Sequence, residues 1–171
     1  RCHELAKQAA SGTPVPASAL EPIRAHRAAK LKTTEIDLLE EMARISRYLA
    51  TETLETKDVG DQVQHYLRSS SFADLAALRI QRLLASTHEY RDRAEKVLQL
   101  WRKRRDDENL AFAQTLSEGY EQALHNAEVL PLHRIWTNVV LKGQSSETNK
   151  SFDYVVVLDG CSYPVFIELV W

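Results

Sequence analysis

The stretch Asp153-Tyr-Val-Val-Val-Leu-Asp159-Gly-Cys-Ser162-Tyr-Pro-Val-Phe-Ile-Glu-Leu-Val-Trp171 decides how the chain is read. From Tyr154 to Leu158, aromatic, β-branched and aliphatic residues run without polar interruption, the pattern of a strand covered on both faces. The run breaks at Asp159-Gly160, where such a strand meets its carboxyl-terminal edge, and ligands of open α/β sheets bind at that edge. Ser162 then stands at an N-cap position and Pro164 falls in a first turn. Val165, Phe166, Leu169 and Val170 follow at helical spacing, which predicts a helix packing back on a sheet.

A strand of this kind needs neighbours to satisfy its amides and carbonyls. No segment of similar β-branched density occurs between residues 1 and 150, so its partners are expected outside the chain. A start at Arg1 and a stop at Trp171 without a helix stop signal fit the same expectation, a piece of a longer polypeptide. Upstream of the strand, Gln144-Ser-Ser-Glu-Thr-Asn-Lys-Ser151 reads as a polar loop. Before it, Leu132, Ile135, Trp136, Val139 and Val140 follow Leu130-Pro131 in the i, i+3, i+4, i+7, i+8 pattern, with Gly143 as a C′ residue. Helix, polar loop and buried strand in this order open an α/β domain. The expected fold is therefore mainly α: a helical region over residues 1–129, leading into the first strand and helix of an incomplete α/β domain over residues 130–171.

Within the helical region, residues 1–10 read as the tail of a helix, and Ser11-Gly-Thr-Pro-Val-Pro-Ala-Ser18 as a turn-rich boundary. Ala19 to Lys32 reads as a short basic helical segment with few apolar positions. Thr34-x-x-Asp37 resembles a capping box, and Leu38, Leu39, Met42, Ile45 and Leu49 predict a helix reaching Thr51. After a polar break at Thr56–Gly60, Val63, Tyr66 and Leu67 predict a short helix that closes at Ser69-Ser-Ser71. Ser71-x-x-Asp74 has the capping arrangement again, ahead of Phe72, Leu75, Ala76, Ile80, Leu83 and Leu84. From Glu89 to His125 there is no proline and one glycine, Gly119, which predicts a helix roughly 50 Å long at about 1.5 Å per residue if unbroken. In its middle, Trp101-Arg-Lys-Arg-Arg105-Asp-Asp-Glu108 sets Arg102 against Asp106, Lys103 against Asp107 and Arg104 against Glu108 at i,i+4. The favoured reading of this run is a solvated helix face, and the alternative is a phosphate-backbone contact.

Composition excludes several classes. With 44% hydrophobic and 27% charged residues in 171, the chain is of globular type, and a net charge of −2 gives no overall attraction to nucleic acid or an anionic membrane. No apolar run reaches the roughly 20 residues of a membrane helix, and no signal-peptide layout is present. Cys2 and Cys161 show no C-x-x-C spacing, so a reducing, cytoplasmic setting is expected, without a disulfide framework or zinc knuckle. The six histidines form no metal motif, and there is no phosphate-cradling glycine loop. Asp159 alone argues for chemistry, as a carboxylate at a strand end suited to a metal or phosphate site. The same residue would equally cap the next helix. A dehalogenase-type site asks for a second acid at the position of Cys161.

Val155-Val-Val-Leu-Asp-Gly-Cys-Ser-Tyr-Pro-Val-Phe166 resembles the start of a PglZ domain, the alkaline-phosphatase-superfamily module of bacterial BREX and Pgl phage-resistance systems. Leu132-His-Arg-Ile-Trp-Thr-Asn-Val-Val-Leu-Lys142 is similar to the segment leading into that strand. The likeness covers residues 152–171, with weaker support from residue 130. It implies that Asp159 is a ligand to a divalent metal, often zinc, in a two-metal phosphohydrolase or nuclease-like core. It also implies that the Ser or Thr nucleophile and the remaining ligands lie after Trp171, so that this chain alone is inert. Cys161 stands where the family more often has Met. The implied partners are other phage-defence proteins, with nucleic acid as a candidate. The competing expectation is a non-enzymatic helical interaction module in which Asp159 is structural.

Overall fold

The computed structural model describes residues 1–53, 58–125, 132–135 and 162–170. The architecture of these residues is mainly α, with no strand among them. The strand expected at Tyr154–Leu158, Asp159, and the helix predicted beyond Ile135 lie outside the described residues. In chain order the helices are α1 (Cys2–Ala10), α2 (Glu21–Arg24) between two 3₁₀ turns, α3 (Thr33–Leu49), α4 (Val59–His65), α5 (Ser71–Leu83), α6 (Arg91–His125), α7 (Leu132–Ile135) and α8 (Tyr163–Val170). Among the described residues no helix is long and apolar enough to cross a membrane.

Helix α3 is the centre of the bundle, packed against α1, α5 and α6. Its apolar spacing produces this: Leu38, Leu39, Met42, Ala43, Ile45 and Tyr48 are all buried. The neighbours meet it with small side chains, Ala6 and Ala9 on α1 and Ala73, Ala76 and Ala77 on α5, which let the helix axes approach closely. Ile80 of α5 and Ala94, Val97 and Leu98 of α6 complete the core.

The turn-rich segment after α1 is part of this core rather than a boundary. Gly12 adopts φ +77, with its N–H bonded to Ala9 and that of Thr13 to Gln8, which closes α1 in a Schellman arrangement. Val15 is then buried, its N–H donating to Ser46 Oγ at 3.0 Å and its carbonyl accepting from Arg47 Nη1 at 2.8 Å. Ser46, fully buried in mid-helix, also donates to the Ala43 carbonyl at 2.9 Å, so its hydroxyl is satisfied on both sides.

Neither expected capping box forms. The 3₁₀ turn Arg27–Leu31 leaves only Lys32 outside helical geometry, so α3 starts at Thr33 and Thr34 already lies within it. Likewise the chain does not break at the serine cluster. It passes from α4 through a π turn, Tyr66–Ser70, directly into α5, and the Ser71 hydroxyl donates back to the Leu67 carbonyl at 3.0 Å. The predicted break before α4 does carry a cap, since Asp58 Oδ1 accepts from the Asp61 N–H at 3.0 Å. Helix α6 is bent at Gly119, where φ −113 and ψ 17 leave the helical region.

Candidate functional site

Two regions bear on function: the start of α8, which follows Asp159 in the chain, and a polar seam at the middle of α6. Helix α8 begins at Tyr163, immediately after Ser162, as the sequence pattern predicts, with Pro164 buried in its first turn. Ser162, Pro164 and Val165 form one wall of a cleft of about 260 Å³ whose other wall is Asp74, Leu78 and Gln81 of α5 and Trp101 of α6. Asp159 itself lies outside the described residues, so the only residue expected to hold a metal is not in view. Among the described residues no three His, Cys, Asp or Glu side chains come together as a metal site.

The seam is built where α3, the π turn, α5 and α6 converge. Asp74 of α5 accepts from the Tyr66 hydroxyl at 2.9 Å and from Trp101 Nε1 at 3.1 Å, and pairs with Arg105 Nε at 3.1 Å. Arg105 then donates to Glu108 Oε2 at 2.5 Å, an oxygen that also accepts from the Tyr48 hydroxyl at 2.7 Å. Arg104 Nε holds the other Glu108 oxygen at 2.8 Å, and its Nη2 donates to the Thr51 carbonyl at 3.2 Å. The guanidiniums stack on the phenols, Arg105 over Tyr66 at 5.0 Å and Arg104 over Tyr48 at 5.7 Å. Two cations face two carboxylates, and each charge has hydrogen-bond partners.

The electrostatics follow from that closure. Burial alone would push the Glu108 carboxyl up, but hydrogen bonds from Arg104, Tyr48 and Arg105 outweigh it and hold Glu108 below the usual carboxylate range. Burial works against the Arg105 charge too, yet Asp74, Tyr48 and Glu108 keep the guanidinium above its ordinary value. Burial, reinforced by the neighbouring carboxylates, pushes the Tyr48 and Tyr66 phenols well above theirs, so both keep their protons. Such a seam ties elements together; it offers no free base and no free nucleophile. On its outer side, Tyr66, Arg105 and Glu108 join Gln62, Val63 and Phe112 in lining a mainly apolar cleft of about 310 Å³.

The basic run of α6 thus divides in two. Arg102 and Lys103 are exposed, as a solvated face requires, whereas Arg104 and Arg105 turn inward. Of the three expected i,i+4 pairs, Arg104 with Glu108 is formed. The signal for the rest was present in the spacing: Trp101, Arg105 and Glu108 continue the buried stripe of Ala94, Val97 and Leu98 by further steps of three and four residues. Asp74, read as a capping residue, is the acid at the centre of the seam. Of the histidines, His26 caps its 3₁₀ turn by accepting from the Ala28 N–H at 3.2 Å, and His3 packs edge-on against Tyr90 at 5.1 Å.

Compared with protein-family models, curated proteins and solved structures, the chain matches none.

Proposed function

We propose that this chain is the helical arm of a PglZ-type phage-defence protein, joined to the first strand and helix of its α/β domain. In this reading Asp159 binds a divalent metal, zinc being the usual one, which would polarise a phosphoester for hydrolysis. The observation that carries the reading is the setting of α8. It is a short apolar helix following a strand-Asp-Gly sequence, attached to the bundle along one side, with Phe166, Leu169 and Val170 left exposed. That outward face is what a helix meant to cover a sheet would present. Asp159 would hold the metal, and the described helices would serve as a scaffold for the domain and for partner proteins of the defence system.

The closed seam favours a second reading of the helices, a protein-interaction module with a structural Asp159, because every charge of Asp74, Arg104, Arg105 and Glu108 is already neutralised within the fold. The full-length gene product separates the two. Under the first reading, Asp159→Ala lowers the metal bound per chain and abolishes hydrolysis of an activated phosphodiester. Unchanged metal content in that variant defeats it. The 171-residue chain alone is expected to show no phosphatase turnover with zinc or manganese.

A further inference from the structure

We infer that the contact between α5 and α8 is an electrostatic latch, in which Arg79 and Arg82 hold α8 on the bundle through Glu168 and release it as a unit while the bundle stays folded. Arg79 Nε lies 3.0 Å from Glu168 Oε1 and Arg82 Nη1 lies 2.5 Å from Oε2. One carboxylate is therefore gripped at both oxygens by two guanidiniums spaced one turn apart on α5, the geometry of strong charge-assisted bonding. Arg79 also reaches Glu41 Oε1 at 3.4 Å, and Glu41, buried on α3, has Arg44 as a second partner at 3.3 Å. The charges form one chain from the centre of the bundle to α8.

Little apolar burial backs this grip. Among Tyr163–Val170 Pro164 is buried and Val165 and Ile167 are half-buried, while Tyr163, Phe166, Leu169 and Val170 are exposed. A helix of 8 residues is also too short to hold its shape alone in water, so docking and helicity of α8 go together. Opening the latch leaves Arg79 with Glu41, so the bundle keeps a partner for its own buried carboxylate. That makes release of α8 separable from unfolding. The inference concerns α5 and α8 and stands apart from any role of Asp159.

Hydrogen exchange read by mass spectrometry on the whole chain tests it. Glu168→Gln, or about 1 M sodium chloride, should speed exchange at residues 166–170 about threefold, the weight of a partly exposed ion pair. Residues 36–49 of α3 should keep their protection. Arg82→Gln, which spares the Arg79–Glu41 link, should give a smaller acceleration confined to the same residues. Exchange at 166–170 that ignores both Glu168→Gln and salt would overturn the latch. So would loss of protection in α3 in step with α8, since the two would then be one cooperative unit.

Discussion

The two halves of α6, joined at Arg105–Glu108, have different surroundings. From Arg91 to Arg105 the helix meets α1, α3 and α5, burying Ala94, Val97 and Leu98 and turning Trp101 and Arg105 into the seam. Beyond Glu108 the described contacts are fewer: Gln62 of α4 meets Thr115, and Arg134 of α7 donates to the Leu124 carbonyl at 2.8 Å; Thr115 and Ala123 are buried, and Leu110 and Tyr120 stand 62% and 56% exposed. The difference shows that the stability of a long helix is local: each turn is held by what covers it, so equal substitutions should have unequal effects along its length.

The largest contrast should come from leucine truncation. Leu98→Ala is expected to lower the unfolding free energy by about 2–5 kcal/mol, and Leu110→Ala to leave it within about 0.5 kcal/mol; urea denaturation reads both. Equal losses would erase the distinction between the halves. Next come the arginines at the join. Arg105→Ala strips Asp74 and Glu108 of a shared cation in a mostly buried seam and should cost about 2–3 kcal/mol. Arg102→Ala, on the exposed side of the same basic run, should stay within about 0.5 kcal/mol.

Glu108 and Glu41 then make an opposed pair in pH. Glu108 is held below the ordinary carboxylate value, so its contribution is present above the unfolded value of about 4.3 and is lost as pH falls through the lower folded one. Glu108→Gln should therefore cost about 1–2 kcal/mol near neutrality, and the gap should close in acid. In Glu41 burial outweighs Arg44 and Arg79 and raises the carboxyl, so its contribution is present in acid and is lost as pH rises through the raised folded value. Glu41→Gln should accordingly be neutral or stabilising at pH 7, and any advantage should vanish on acidification. Denaturant midpoints across that range read both. The smallest effect belongs to the bend. Gly119→Ala should straighten the outer half and stabilise the helix by up to about 1 kcal/mol, seen as a gain in ellipticity at 222 nm.

What could be read in advance follows from how far apart the interacting residues are. The α3 face, Leu38 through Leu49, was legible because a period of three and four residues is a local property, and the start of α8 after Ser162 was legible for the same reason. Of the seam only the α6 side, Trp101, Arg105 and Glu108, was marked by helical spacing; its partners were not, since Asp74 meets Trp101 across 27 positions and Tyr48 meets Glu108 across 60, and neither separation leaves a local trace. The serine and threonine patterns before α3 and α5 misled because a Ser/Thr-x-x-Asp sequence also fits helix interiors, where a hydroxyl such as that of Ser71 bonds back one turn. Pro14 and Pro16 suggested a separate linker, yet the segment between them is anchored by Ser46 and Arg47, contacts contributed from more than 30 positions away. Asp159 and the strand expected before it lie outside the described residues.

The π turn at Tyr66–Ser70 has a consequence for how this chain could change over generations. A π turn holds one residue more than an α turn, and removing it would restore ordinary geometry while rotating α4 by about 100° relative to α5. Tyr66 would leave Asp74, and Gln62 would leave Thr115, which its side chain now meets at 2.9 Å. Point substitutions at Arg68, the exposed position of this segment, should therefore be carried easily by descendants, while a single deleted codon there would move a whole helical face at once.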